Sequence, residues 1–334
     1  MEQVKLKAPF PWFGGKSSVA PDVWARFGDV PNYVEPFFGS GAMLLCRPHA
    51  PRIEAVNDKD GFIANFWRAL QHDPDAVAHY ADNPVNENEL HARHAWLIQH
   101  GSPIVSRLEG DPDFYDAKIA GWWVWGISCW IGGGFCSGAG PWHSIDGELV
   151  NDGAAGQGVK RQRPHLGTAG QGVNRKLLHL GTAGQGVNRK RGGLLEYMHR
   201  LAGRLRNVRV CCGDWSRVCT PTPTFVQGLT AVFCDPPYSA EAGRDNTLYA
   251  QEDLTVAHAV REWAIANGEN PLMRIALCGY EGEHAMPASW ETFEWKAQGG
   301  YSGLGDGGTE GKKNAHRERI WFSPNCLRQK GLFA

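Results

Sequence analysis

An α/β fold, built on a mostly parallel sheet with helices on both faces, is what this 334-residue sequence predicts. Three observations carry the prediction. Strand-like runs alternate with helical stretches in two blocks, one at each end of the chain. The sharpest of those runs end in special turns, PFFGSG after Tyr33-Val34-Glu35 and DPPY after AVFC. The middle, from about Gln71 to Gly193, lacks the alternation and reads as an insertion into the sheet-forming unit.

Taken in order, Tyr33–Glu35 is the first strand and Ala42–Leu45 opens the helix after its glycine turn. Ile53–Val56 is a second strand, ending in NDKD. The last block begins with a helix over Leu194–Arg206, then the strands Val208–Cys212 and Ala231–Cys234. Asp253 is expected to cap a helix running to about Asn267, with Val256, Val260, Trp263 and Ala264 on one face. Arg274–Leu277, Phe293–Trp295 and Arg319–Phe322 complete the strand-like runs. The division that follows is 1–70 with 194–334 as one unit and 71–193 as its insert.

Composition narrows the class. The segment Met1–Pro11 is too polar for a secretory signal and has no small-residue cleavage site, so a cytoplasmic protein is expected. The most apolar stretch, Gly121–Phe135, is too short for a membrane span and rich in Trp and Gly, which points to a buried or site-lining segment. Nine cysteines without a CxxC pair suit reduced core thiols better than disulfides or zinc, and no metal is expected. His91 and His94 share a helical face but lack a third ligand, so they read as surface polar residues.

Net charge is −1, unevenly distributed. From His165 the chain repeats HLGTAGQGVNRKLL in near-perfect 14-residue copies, with a degraded copy starting at Gly153. Residues 153–194 hold eight Lys and Arg and no carboxylate, leaving −9 for the rest. A unit of this length offers only Val and Leu against several glycines and cannot bury a solenoid face. It reads as a flexible basic loop whose Arg175, Lys176, Arg189, Lys190 and Arg191 attract phosphate in a salt-dependent, sequence-independent way.

Three motifs carry chemistry. In Asp235-Pro236-Pro237-Tyr238 a carboxylate and a proline-fixed carbonyl follow a strand. An exocyclic amine on a base is a poor nucleophile because its lone pair is delocalised into the ring. Two acceptors for its hydrogens favour the pyramidal, reactive nitrogen, and prolines bring no competing N–H. Tyr238 is placed to stack on a base taken out of the duplex. In VEPFFGSG, Gly39 and Gly41 at a strand-to-helix turn let backbone approach a ligand, but Leu44 stands where the dinucleotide fingerprint needs its third glycine. Asp58 ends the next strand where an acidic group can hold ribose hydroxyls. With Glu35, these residues suit a nucleoside ligand without a pyrophosphate. PWFGGKSS tempts toward a phosphate-binding loop, but Phe10 occupies the first glycine position and no strand precedes it.

PWFGGK, VEPFFGSG, Asn57-Asp58 and DPPY, in that order, resemble the Dam-type DNA adenine methyltransferases, and phage and prophage DNA methylases of that class most closely. The resemblance covers roughly residues 8–70 and 194–326. It implies a Rossmann-like S-adenosylmethionine-dependent methyltransferase sheet with an inserted DNA-recognition region, acting on double-stranded DNA. It further implies S-adenosylmethionine held by Trp12, Lys16 and the loop Glu35, Phe37, Gly39 and Gly41. Asp58 would hold the ribose, Asp214 would lie near the cofactor's adenine, and Asp235 would lie between cofactor and target amine. DPPY rather than SPPY favours the 6-amino group of adenine; the 4-amino group of cytosine is the alternative, and a catalytically inactive nucleic-acid-binding protein is another. The chain departs from the Dam pattern in lacking its NR-x-x-(F/Y)-NG element, so no recognition sequence carries over, and a restriction partner cannot be read from the residues. A monomer is compatible with all of this. Trp122, Trp123, Trp125 and Trp130 are expected in the core, and Lys312 and Lys313 against phosphate.

Overall fold

The computed structural model describes residues 6–12, 15–101, 103–130, 135–136, 142–145, 148–151, 191–238, 255–295 and 317–328. Seven strands form one sheet in the order β5-β2-β1-β6-β7-β9-β8. β1 (Asn32–Glu35), β2 (Ile53–Asp58), β5 (Val208–Cys212), β6 (Thr230–Cys234) and β7 (Met273–Tyr280) run parallel. β9 (Glu318–Phe322) is antiparallel to both β7 and the edge strand β8 (Glu291–Glu294). The expected α/β class is therefore present, with an antiparallel margin.

Side chains of neighbouring strand positions leave on opposite faces, and here both faces find a core. Tyr33, Ala231, Phe233, Ala276 and Ile320 join a cluster with α1 (Ala20–Phe27), α2 (Ala42–Leu45), α3 (Gly61–His72) and α8 (Arg191–Leu205). Val34, Val232, Cys234, Ile275 and Trp321 join the other, under α9 (Val256–Gly268) and the turn around Val218 and Cys219. Every residue of β1 and β6 is buried, so β6 reads as a near-continuous apolar run without a two-residue period, while β1 buries the polar Asn32 and Glu35. The edge strand β8 exposes Glu291 and Glu294, charges that oppose pairing with another sheet.

The helix expected after Asp253 begins at Val256, and its N-cap is Thr255, which makes no side-chain cap bond. Asp253 lies outside the described residues. The expected face is observed: Val260 and Ala264 are buried and Val256 and Trp263 pack against the same cluster.

Among the described residues the middle is mostly helical. α4 (Pro74–Ala81), α5 (Glu87–Gly101), α6 (Ile104–Gly110) and α7 (Ala117–Cys129) precede a hairpin of β3 (Trp142–Ile145) and β4 (Glu148–Asn151). α7 packs on α3, α4 and α5, and α8 returns against α3 and α4. Trp123 and Trp125 are fully buried and Trp122 and Trp130 partly so. His94 corrects the surface reading: it is 1% exposed, its ring faces Trp130 and Phe135, and its Nε2 accepts from the Cys136 amide at 3.1 Å. Burial in that aromatic nest pulls its pKa down to about 4, so it is a neutral core residue. No helix among the described residues is long and apolar enough to cross a membrane. Arg175, Lys176, Arg189, Lys190, Lys312 and Lys313 lie outside the described residues, and Arg191 is the first residue of α8.

Candidate active site

Parallel strands deliver their carboxyl ends to one edge, and here that edge holds a cavity of about 990 Å³, its open mouth included. Four strand ends contribute. β1 ends at Glu35, β2 at Asp58, β5 leads to Asp214, and β6 leads to Asp235. All four carboxylates border the cavity, together with Trp12, Lys16, Phe37 and Gly39 from the first block. Residues 200 positions apart thus meet because β1 sits between β2 and β6.

Asn57 ties the loops together. Its Nδ2 donates to the Pro36 carbonyl at 3.1 Å and to the Gly213 carbonyl at 3.0 Å. Backbone bonds from Phe38 N to Asn57 O and from Gly213 N to Asp58 O lock the same three turns. Gly39 has φ +48°, and a Cβ there would meet the Trp12 indole at 2.7 Å, so glycine is needed for both backbone and packing. Its amide donates to Asp58 Oδ2 at 2.8 Å, and its carbonyl accepts from Trp67 Nε1 at 2.9 Å. Gly41 departs from the ligand-approach expectation. It caps α2 at φ +69°, against Phe38 and Trp67, and does not border the cavity.

The four carboxylates differ in exposure: Asp214 is exposed, Asp58 and Asp235 are half-buried, and Glu35 is buried. Glu35 is 3% exposed, and burial holds it well above the usual range, while the Tyr33 hydroxyl donating at 2.8 Å opposes the shift. Burial, reinforced by Asp60, raises Asp58 to about 7 against the amides of Gly39 and Asp60. Asp214 accepts from Ser216 N at 3.0 Å, which fixes the turn that presents Trp215 to the cavity. Phe37 and Trp215 face one another at 6.5 Å and 26°, two aromatic walls.

DPPY is organised around one lysine. Lys16 Nζ lies 2.9 Å from Asp235 Oδ2 and donates to the Tyr238 hydroxyl at 3.2 Å. Burial would lower the Lys16 pKa, but Asp235, then Glu318 and Cys278, outweigh it and hold the ammonium charged. Lys16 belongs to a short 3-10 turn, Lys16–Ser18, before α1, so the PWFGGKSS lysine meets a carboxylate rather than presenting a phosphate loop. Asp235 keeps 22% of its side chain exposed, on the cavity. Pro237 borders the cavity and Pro236 does not. Tyr238 departs from the expected stacking platform: it is 8% exposed, packs edge-on against Tyr280, and donates to Glu318 Oε2 at 2.6 Å.

The sequence reading missed Glu318, Trp215 and the stapling role of Asn57. Trp215 had a local signal, an aromatic beside Asp214. Glu318 had none, because β9 reaches the site only through its antiparallel pairing with β7.

A family model described as D12 class N6 adenine-specific DNA methyltransferase matches residues 12–109, the stretch that holds Trp12, Lys16, Glu35, Gly39 and Asp58. No curated protein matches the chain.

Proposed function

We propose that this chain is an N6 adenine-specific DNA methyltransferase, that S-adenosylmethionine is its methyl donor, and that the cavity at the strand ends holds it; the family match over residues 12–109 and the lining of the cavity support the reading. The single observation that carries this is the convergence of Glu35, Asp58, Asp214 and Asp235 on one cavity with aromatic walls. Hydroxyl donors and a cation are what such a lining pairs with, whereas a diphosphate would meet carboxylates at each strand end.

When bound, the sulfonium supplies an electrophilic methyl group. Asp58 accepts from the ribose hydroxyls, and Phe37 and Trp215 border the adenine. Asp235 accepts one hydrogen of the target amine, and the Pro236 carbonyl, its direction fixed by the Pro237 ring, accepts the other. The nitrogen lone pair would then attack the methyl carbon in line as the carbon–sulfur bond breaks, S-adenosylhomocysteine leaving and the new ammonium losing one proton through Asp235 to solvent, with no covalent enzyme intermediate. Catalysis rests on holding the amine and on acceptors aimed at the developing ammonium. The insert of residues 71–193 and the basic residues Arg175, Lys176, Arg189, Lys190, Arg191, Lys312 and Lys313 are assigned to DNA.

The test is methyl transfer from labelled S-adenosylmethionine to unmethylated duplex DNA, followed by nucleoside mass spectrometry. N6-methyladenine is the expected product. Methylcytosine without methyladenine, or no transfer at all, overturns the reading.

Asp58 gives a pH test of the cofactor site. Ribose hydroxyls donate to the ionised carboxylate, so binding releases the proton that Asp58 holds below its pKa of about 7. Affinity for S-adenosylhomocysteine, measured by calorimetry, should therefore rise from about pH 6 to about pH 8 and then level off. Asp58→Asn should bind more weakly and lose that slope. A slope unchanged in the variant would remove Asp58 from the ribose.

A further inference from the structure

Glu318 is a carboxylate that the methyl-transfer scheme leaves without a task. It lies on β9, 5% exposed, and does not border the cavity. Burying a second carboxylate beside one lysine carries a desolvation penalty that folding alone has little reason to incur. Its Oε2 accepts from the Tyr238 hydroxyl at 2.6 Å, and that hydroxyl accepts from Lys16 Nζ at 3.2 Å. Lys16 in turn pairs with Asp235 at 2.9 Å, and the Tyr238 hydroxyl lies 3.4 Å from the other Asp235 oxygen. Asp235 and Glu318 therefore flank a single ammonium, with one phenol bridging them.

We propose that Glu318 is a positioning residue for methyl transfer, acting through Tyr238 and Lys16 to set how much of the lysine's charge Asp235 feels. An acceptor fully neutralised by its counter-ion draws less strongly on the hydrogens of an incoming amine. With Glu318 ionised, Lys16 is shared between two carboxylates, and Asp235 keeps more negative charge on its exposed side. With Glu318 neutral, more of the Lys16 charge falls on Asp235 and blunts it. The bridge also fixes Tyr238 inward. The inference rests on Asp235 being the amine acceptor.

Charge at Glu318 is governed by what surrounds it. Burial raises its pKa; Lys16 and the Tyr238 hydroxyl oppose the rise, while Asp235 and Glu283 add to it. Among the groups that face it, Lys16 comes from the turn before α1, Asp235 and Tyr238 from the end of β6, and Glu283 from the turn after β7.

Glu318→Gln keeps the shape and an acceptor for Tyr238 while removing the charge. Steady-state kinetics with labelled S-adenosylmethionine and duplex DNA should show kcat lowered about tenfold. Calorimetry should show S-adenosylhomocysteine affinity unchanged, because Glu318 does not border the cavity. The wild-type kcat should fall with decreasing pH as Glu318 takes up its proton, and the variant should lack that part of the profile. Tyr238→Phe, which cuts the bridge without touching a charge, should lower kcat in the same direction, and the double variant should lose little more. A Glu318→Gln enzyme within twofold of wild type, or one that loses cofactor affinity in parallel with kcat, overturns the proposal. Wild-type protein that transfers no methyl group to adenine would instead overturn the reading of the site.

Discussion

Asp235→Ala is expected to lower methyl transfer to duplex DNA by two to three orders of magnitude, as its proposed role as amine acceptor requires, while leaving DNA affinity within a few-fold of wild type. The size follows from what is removed, a fixed acceptor aimed at charge that develops only in the transition state; losing one such group costs on the order of 10²–10³ in rate. Asp235 sits at the end of β6, with β1 and β7 on either side, so its direction is set by a fully buried strand. The fold survives because Lys16, deprived of Asp235, keeps Glu318 as a counter-charge. Single-turnover transfer with saturating cofactor reads the loss directly, and a parallel filter-binding titration reads the affinity. An Asp235→Ala enzyme that still methylates at a tenth of the normal rate would show that another group accepts the amine hydrogens.

Lys16→Met should be the most destabilising single change at the site. Lys16 is 4% exposed and holds Asp235 and, through Tyr238, Glu318. Methionine of similar length fills the space but leaves the two carboxylates facing one another without their cation. Breaking a buried pair in this way costs about 3–5 kcal/mol. The sign of its pH dependence is fixed by Glu318, whose pKa burial already raises. As pH falls, Glu318 takes up a proton and the repulsion is relieved, so the gap between variant and wild type narrows toward acid and widens toward neutral pH. Urea unfolding at a series of pH values measures that gap. A variant as stable as wild type at neutral pH would mean that the lysine only matches charge locally and does not hold the two carboxylates in place.

Local chemistry was what the sequence made legible. Strands ending in Glu35, Asp58 and Cys234 were readable because a turn with its own signature follows each. Cavity-lining residues Trp12, Lys16, Phe37 and Gly39 fell within two short motifs, and the structure gathers them at one place. What escaped was whatever depends on pairing at long range. Glu318 reaches Tyr238 across 80 positions, and Asn57 reaches Gly213 across 156. Tyr238 shows the same limit in reverse, since nothing near it announces that its hydroxyl turns inward. His94 read as a surface residue because it was weighed with His91 as a metal ligand and lacked a third; Leu90 and Leu97 on the same face of α5 are buried with it, and the rings that cover it, Trp130 and Phe135, come after α7.

The order β5-β2-β1-β6 interleaves the two ends of the chain. β1 and β2, from before the insert, are flanked on each side by a strand from after it. Hydrogen-bond ladders, rather than the connecting peptide, therefore join the halves of the sheet. That pairing does not depend on a continuous chain between β4 and α8. A chain severed there would leave two complementary fragments, each with unpaired parallel strands that only the other can satisfy, so the enzyme is a natural candidate for assembly from split parts.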